Sequence, residues 1–174
     1  MKGHVGRVDK MQAQNEWEHL ADAYEEHGFQ VHTIDGMRGM PDMVFCANQS
    51  LPFIDTDGTR KVVMSIMHAE QRKKEVDAIE AWYRTQGYEI LHLDPEKVSD
   101  FEGMGDAIWH FRRRLLWGGY GFRSSIEAYE EVSRLLDTPV IALELVDDKF
   151  YHLDTCFCSL DQKTALVYPD AFTD

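Results

Sequence analysis

A repeated handover from helix to strand constrains this chain more than any other feature. Gly28-Phe29-Gln30-Val31 is echoed by Gly87-Tyr88-Glu89-Ile90. Each follows a run with apolar residues at helical spacing: Trp17, Leu20, Ala21 and Tyr24 before the first, Val76, Ile79 and Tyr83 before the second. Glycine at each boundary supplies the backbone freedom that ends a helix, and the residues after it read as a strand. A unit that recurs at roughly 55 to 60 residues belongs to architectures whose stacked or radially arranged modules bury one another's faces.

The remaining elements fit that unit. The spacing predicts helices over 14–27 and 69–86, and a third opening at Ser124 with Glu127 in the capping-box position. Short apolar runs predict strands over 29–34, 43–46, 52–54, 61–66, 88–93, 106–111, 115–117, 140–146 and 165–168. Asp57-Gly58 closes one hairpin and Arg112-Arg113-Arg114 another. The order is αβ, ββαβ, ββαβ, ββ, an α/β fold of repeated ββαβ modules at about 1–34, 42–93, 101–146 and 150–174, in one domain over 1–174. The chain begins and ends in mid-module. A closed ring therefore calls for material before Met1 and after Asp174, so the expectation is a fragment, a split protein, or an assembly such as a homo-oligomer completed by another copy.

Composition narrows the class. With 44% hydrophobic and 11% aromatic residues the chain can bury a core, and no apolar run approaches the roughly 18 residues of a membrane span. No apolar stretch follows the basic MKGHVGRVDK start, so no signal peptide is read and a cytoplasmic protein is expected. A formal charge of -13 argues against nucleic acid or an anionic membrane as partner. It would suit a cationic small substrate, but solubility or a salty habitat accounts for it more simply. Cys46, Cys156 and Cys158 are odd in number, and the last two lie too close along a strand to pair, so reduced thiols are expected.

Four segments carry polar groups where strands end. They hold Asp42 and Asn48, Glu102 and Asp106 among glycines, Arg123 after a glycine-rich loop, and His152 with Asp154. Read as a strand, residues 150–161 put His152, Asp154 and Cys156 on one face. Each group also has a plain structural reading: a core histidine, turn aspartates, solvated loop carboxylates, an ion-pairing arginine. No Lys-Ser/Thr follows the glycine-rich loop, so it is no P-loop. Cys156-x-Cys158 lacks the two further soft ligands that a zinc site needs.

In this order, PDMVFCAN, FEGMGDAIW, GYGFRSS and HLDTCF resemble the arginine deiminase and amidinotransferase superfamily, the penteins, which include dimethylarginine dimethylaminohydrolases and arginine dihydrolases. The resemblance implies a five-bladed α/β propeller, of which this chain would be part, and an enzyme acting on arginine or another small guanidino compound with no cofactor and no metal. It implies a cysteine thiolate that attacks the guanidinium carbon, with water (hydrolase) or an amine (transferase) resolving the intermediate. His152 would be general acid and base, while Glu102 and Asp154 grip the guanidinium. Asp42, Asn48 and Asp106 would line the substrate site, and Arg123 and Arg72 would bind the α-carboxylate. Asn48 stands where the deiminases carry an aspartate, as in the amidinotransferase and dihydrolase branches. The nucleophile of the superfamily lies in a later module, so none of the three cysteines is assigned that role. The competing expectation is a non-catalytic guanidine-binding or oligomer-forming module.

Overall fold

The computed structural model describes residues 8–173, which divide into two compact units at Asp35 and Gly36. In the first unit α1 spans Lys10–Glu26. Asp9 caps it, its carboxylate accepting the amides of Met11 at 3.0 Å and Gln12 at 3.1 Å. Gly28, at φ 83°, ends it as expected. Residues 29–34 are in none of the sheets of the described residues, contrary to the sequence reading.

The second unit contains the same β-β-α-β arrangement twice. In the first copy β1 (Ser50–Ile54) and β2 (Arg60–Met64) form an antiparallel hairpin, α2 (Lys73–Thr85) crosses over, and β3 (Glu89–His92) pairs parallel to β2. Gly58 turns the hairpin at φ 84°. Val62, Val63 and Met64 are all buried, so β2 is covered on both faces: Val62 and Met64 pack with Ile79 of α2, Val63 with the main core.

A one-turn helix, α3 (Gly103–Asp106), opens the second copy and runs directly into β4 (Ala107–Trp109). Then come β5 (Leu116–Tyr120), α4 (Ile126–Leu136) and β6 (Val140–Glu144), again antiparallel then parallel. Tyr129 of α4 packs across Gly118, where a Cβ would collide with its ring, and its hydroxyl lies 2.6 Å from the carbonyl of Gly119. The two copies share one core, built on Leu51, Phe53, Val63, Phe101, Leu116 and Val132. They are stitched by reciprocal amide–carbonyl bonds between Ile66 and Phe101. A last hairpin, β7 (Phe157–Ser159) with β8 (Ala165–Val167), follows. Among the described residues no helix is long and apolar enough to cross a membrane.

Two further predicted strands fail, one wholly and one in part. Residues 43–46 lie in and just after a short 3-10 helix, Pro41–Val44, where proline at the first turn favours helical φ. The carbonyls of Asp42 and Phe45 turn to the Arg72 guanidinium, both at 3.1 Å, instead of to a sheet. Of residues 150–161 only Phe157–Ser159 is a strand; before it lie two 3-10 turns, Asp148–Phe150 and Leu153–Thr155. The predicted alternation fails with them, since His152 and Leu153 are adjacent and both buried while Asp154 is exposed.

Candidate active site

The site assembles on loops at the ends of the two β-β-α-β copies. Asn48 precedes β1, Glu102 and Asp106 flank α3, Arg123 and Ser124 fill the turn from β5 to α4, and His152 and Asp154 sit between β6 and β7. Glycines let the loops close on one another. Gly103 sits at φ 47° against the Ser50 backbone, and a Cβ on Gly105 would strike the Asn48 amide and crowd the His152 ring.

At the centre His152 lies between two carboxylates. Its Nε2 is 3.1 Å from Glu102 Oε2 and its Nδ1 is 3.3 Å from Asp106 Oδ1. All three side chains are buried. His152 Nδ1 and Glu102 Oε2 lack a linear hydrogen bond, so these are charge contacts set by position. Burial works against a charge on His152, but Asp106 and Glu102 outweigh it and hold its pKa up at about 9. Burial likewise would raise Glu102; the imidazolium of His152, Arg123 and the His68 amide overcome it and keep its carboxyl below the ordinary 4.5. Asn48 Nδ2 is 3.4 Å from Nε2 of His152. A protonated ring presents N–H there, so this contact is satisfied with the amide turned to offer its oxygen.

Ser124 ties the carboxylates together. Its hydroxyl donates to Asp106 Oδ2 at 2.7 Å and accepts the Glu102 amide at 3.0 Å. Asp106 Oδ1 also accepts the Leu153 amide at 3.1 Å, which fixes the turn that carries His152. Read from sequence as a helix cap, Ser124 instead serves the site; Ser125 takes the N-cap position and makes no side-chain cap bond.

Above the histidine is a cavity of about 340 Å³, lined by Asp42, Asn48, Arg72, Arg123, Tyr151, His152 and Asp154 among others. The structure thus brings six of the eight sequence-derived candidates to its wall. Glu102 and Asp106 lie behind that wall, Asp106 against His152 and Glu102 against both His152 and Arg123. Burial raises the pKa of Asp154 even at this accessible position. Arg123 Nη1 is 3.6 Å from Glu102 Oε1, and its guanidinium stacks on Tyr151, 4.8 Å from the ring centre. Buried Arg72 pairs with Glu75 through Nε at 3.0 Å. Sequence reading missed Ser124, Tyr151 and Glu75; only the adjacency of Ser124 to Arg123 and of Tyr151 to His152 hinted at the first two.

None of the three cysteines lines this cavity. Burial raises the thiol pKa of Cys156, whose Sγ points to the carbonyls of His152 and Leu153 at 3.8 and 3.6 Å. Cys46 and Cys158 are exposed. Among the described residues no cluster of His, Cys, Asp and Glu could hold a metal ion.

The scaffold that carries this centre matches solved structures of the guanidino-group-modifying superfamily that the motifs resemble. The model of the family described as N,N dimethylarginine dimethylhydrolase, eukaryotic, matches residues 4–174, and the chain belongs to that family. It is 37% identical to the bifunctional arginine dihydrolase/ornithine cyclodeaminase ArgZ of Synechocystis, over 99% of this chain and 23% of that protein. It is 38% identical to the N(G),N(G)-dimethylarginine dimethylaminohydrolase of Mycobacterium tuberculosis, over 95% of this chain and 51% of that protein. The crystal structure of a mutant N-terminal domain of ArgZ bound to its substrate superposes with a TM-score of 0.85 at 36% identity, covering 96% of this chain and 59% of that one. The chain therefore spans less than two thirds of each of these relatives.

Proposed function

We propose that this chain supplies the guanidinium-binding and acid–base half of a guanidino-group hydrolase acting on arginine or an arginine derivative. The observation that carries this reading is an imidazole held between two buried carboxylates, with a pKa of about 9, at the floor of a cavity that also offers Asp154 and Arg123. Membership of the dimethylarginine family, and likeness to an arginine dihydrolase, support the same substrate class.

A guanidinium is planar, permanently charged and rich in fixed N–H donors, so carboxylates and carbonyl oxygens hold it through charge-assisted bonds. Glu102 and Asp154, with Asn48 and Asp42, take the guanidinium; Arg123 takes the α-carboxylate, and Arg72 shapes the wall beside it. Asp106 acts behind His152, positioning it. When a thiolate adds to the guanidinium carbon, the C–N bond to the departing nitrogen breaks as His152 delivers its proton to that nitrogen. Neutral His152 then takes a proton from the water that adds to the amidino carbon, and the thiolate leaves. An acid with a pKa of about 9 is still charged at neutral pH, which suits a strongly basic amine leaving group.

The covalent route needs a thiolate at the cavity, and none of Cys46, Cys156 and Cys158 provides it. In our reading the chain by itself binds and protonates, while turnover depends on a thiol delivered from elsewhere. The two β-β-α-β copies then serve as blades of a five-bladed α/β propeller that other material, a second copy included, completes. Calorimetry with arginine, paired with an assay for ornithine, citrulline and ammonia, tests this: binding without turnover is expected. Turnover abolished by Cys46→Ala or Cys156→Ala would overturn it, and so would absence of any guanidine binding.

A further inference from the structure

The position of Arg123 carries a consequence for selectivity. Its guanidinium already occupies the surroundings that a guanidine ligand would seek: a fully buried carboxylate, Glu102, on one side and the face of Tyr151 on the other. The separation of 3.6 Å from Glu102 Oε1 exceeds a good charged hydrogen bond, and the Arg123 side chain is 29% exposed, so the pair is held by charge and can open.

We infer that Arg123 is an internal competitor for the guanidinium site, and that it selects ligands carrying both a guanidinium and a carboxylate. The inference rests on the guanidine-binding reading above. When such a ligand enters, its guanidinium replaces that of Arg123 at Glu102, and its carboxylate receives the displaced Arg123. One internal ion pair is exchanged for two that span the ligand. A guanidine without a carboxylate breaks the same pair and leaves Arg123 beside it as a like charge that no group of the ligand offsets, in a cavity of about 340 Å³. Tyr151 is a positioning residue, because its ring keeps the Arg123 side chain folded over the cavity when it is empty.

Bare guanidinium separates an ordinary carboxylate-binding arginine, whose removal should leave that ligand's affinity unchanged, from an internal competitor, whose removal should raise it. Calorimetry on the full chain would compare arginine, its decarboxylated analogue agmatine, and guanidinium chloride. In Arg123→Gln, arginine should weaken by at least about tenfold as its carboxylate loses a charged partner. Agmatine and guanidinium should bind about two- to fivefold tighter, because the competitor has gone. Tyr151→Leu, a change at an accessible side chain, should also tighten agmatine by releasing Arg123 from its stack, with circular dichroism confirming that both variants remain folded. Unchanged or weaker agmatine binding in either folded variant overturns the inference while arginine binding by the parent chain upholds the reading of the site. Failure of the parent to bind any of the three ligands overturns both.

Discussion

The Ser124 hydroxyl donates to Asp106 Oδ2 at 2.7 Å, and the same oxygen accepts the backbone N–H of Glu102 at 3.0 Å. One small side chain therefore fixes the two acids that flank His152, although Ser124 does not itself line the cavity.

Removing that hydroxyl leaves a buried carboxylate oxygen and a buried amide without a partner. Ser124→Ala should cost about 1 to 3 kcal/mol of stability, read from urea denaturation. Ser125→Ala is the control: Ser125 makes no capping bond, so its loss should leave the midpoint nearly unchanged.

His152 makes stability depend on pH in a defined direction. Its pKa in the fold, about 9, lies above the ordinary 6.5, so folding favours the charged ring. That contribution is fully present below pH 6.5 and is lost as pH rises through 9. Glu102 has the opposite sense: its lowered pKa adds stability above the ordinary 4.5 that fades as pH falls through the folded value. Denaturation midpoints should therefore be highest between these limits, near pH 5 to 6.5. In Asp106→Asn the loss on the alkaline side should shift downward by at least about one pH unit. An NMR titration of the His152 ring checks the same shift; a ring that still titrates near 9 in Asp106→Asn would assign the effect to Glu102 alone.

Much of this architecture was legible because local chemistry and tertiary structure agree there. The hairpin at Asp57-Gly58, the arginine turn before β5 and the crossover helices α2 and α4 all follow from turn residues and apolar periodicity. The reading failed where long-range partners decide. Nothing within 41–46 announces that a buried arginine thirty positions on will take its carbonyls. Nothing within 150–156 announces that the Leu153 amide will bind Asp106 and break the strand period. The motifs did pick out residues that the fold brings together, His152, Glu102 and Asp106, but only the fold showed that Asp106 stands behind the histidine.

The glycines of α3 separate fold from site. An alanine at Gly103 meets the Ser50 backbone and must hold φ 47°, so Gly103→Ala should destabilise the whole unit. At Gly105 the added methyl meets side chains only, the Asn48 amide and the His152 ring. Gly105→Ala should therefore lose less stability than Gly103→Ala while weakening arginine binding more per unit of stability lost, as denaturation and calorimetry on the two proteins would show.

Arg72 and Glu75 pose the sharpest test of burial. Their pair, at 3.0 Å with side chains 7% and 1% exposed, also takes in the Gln49 amide at 2.8 Å, and Arg72 holds the carbonyls of Asp42 and Phe45. Removing the anion strands a largely buried charge, so Glu75→Ala should cost about 3 to 5 kcal/mol. The neighbouring pair Lys73–Glu70 has the same sequence separation and a shorter contact, 2.7 Å, yet its side chains are 51% and 85% exposed. Glu70→Ala should change the unfolding midpoint very little. Glu75→Gln, which keeps an acceptor for Arg72, should fall between the two. Because Arg72 also secures the 3-10 turn that places Asp42 and Phe45 on the cavity wall, Glu75→Ala should weaken arginine binding as well; equal affinity in a folded Glu75→Ala protein would show that this wall is not part of the binding site.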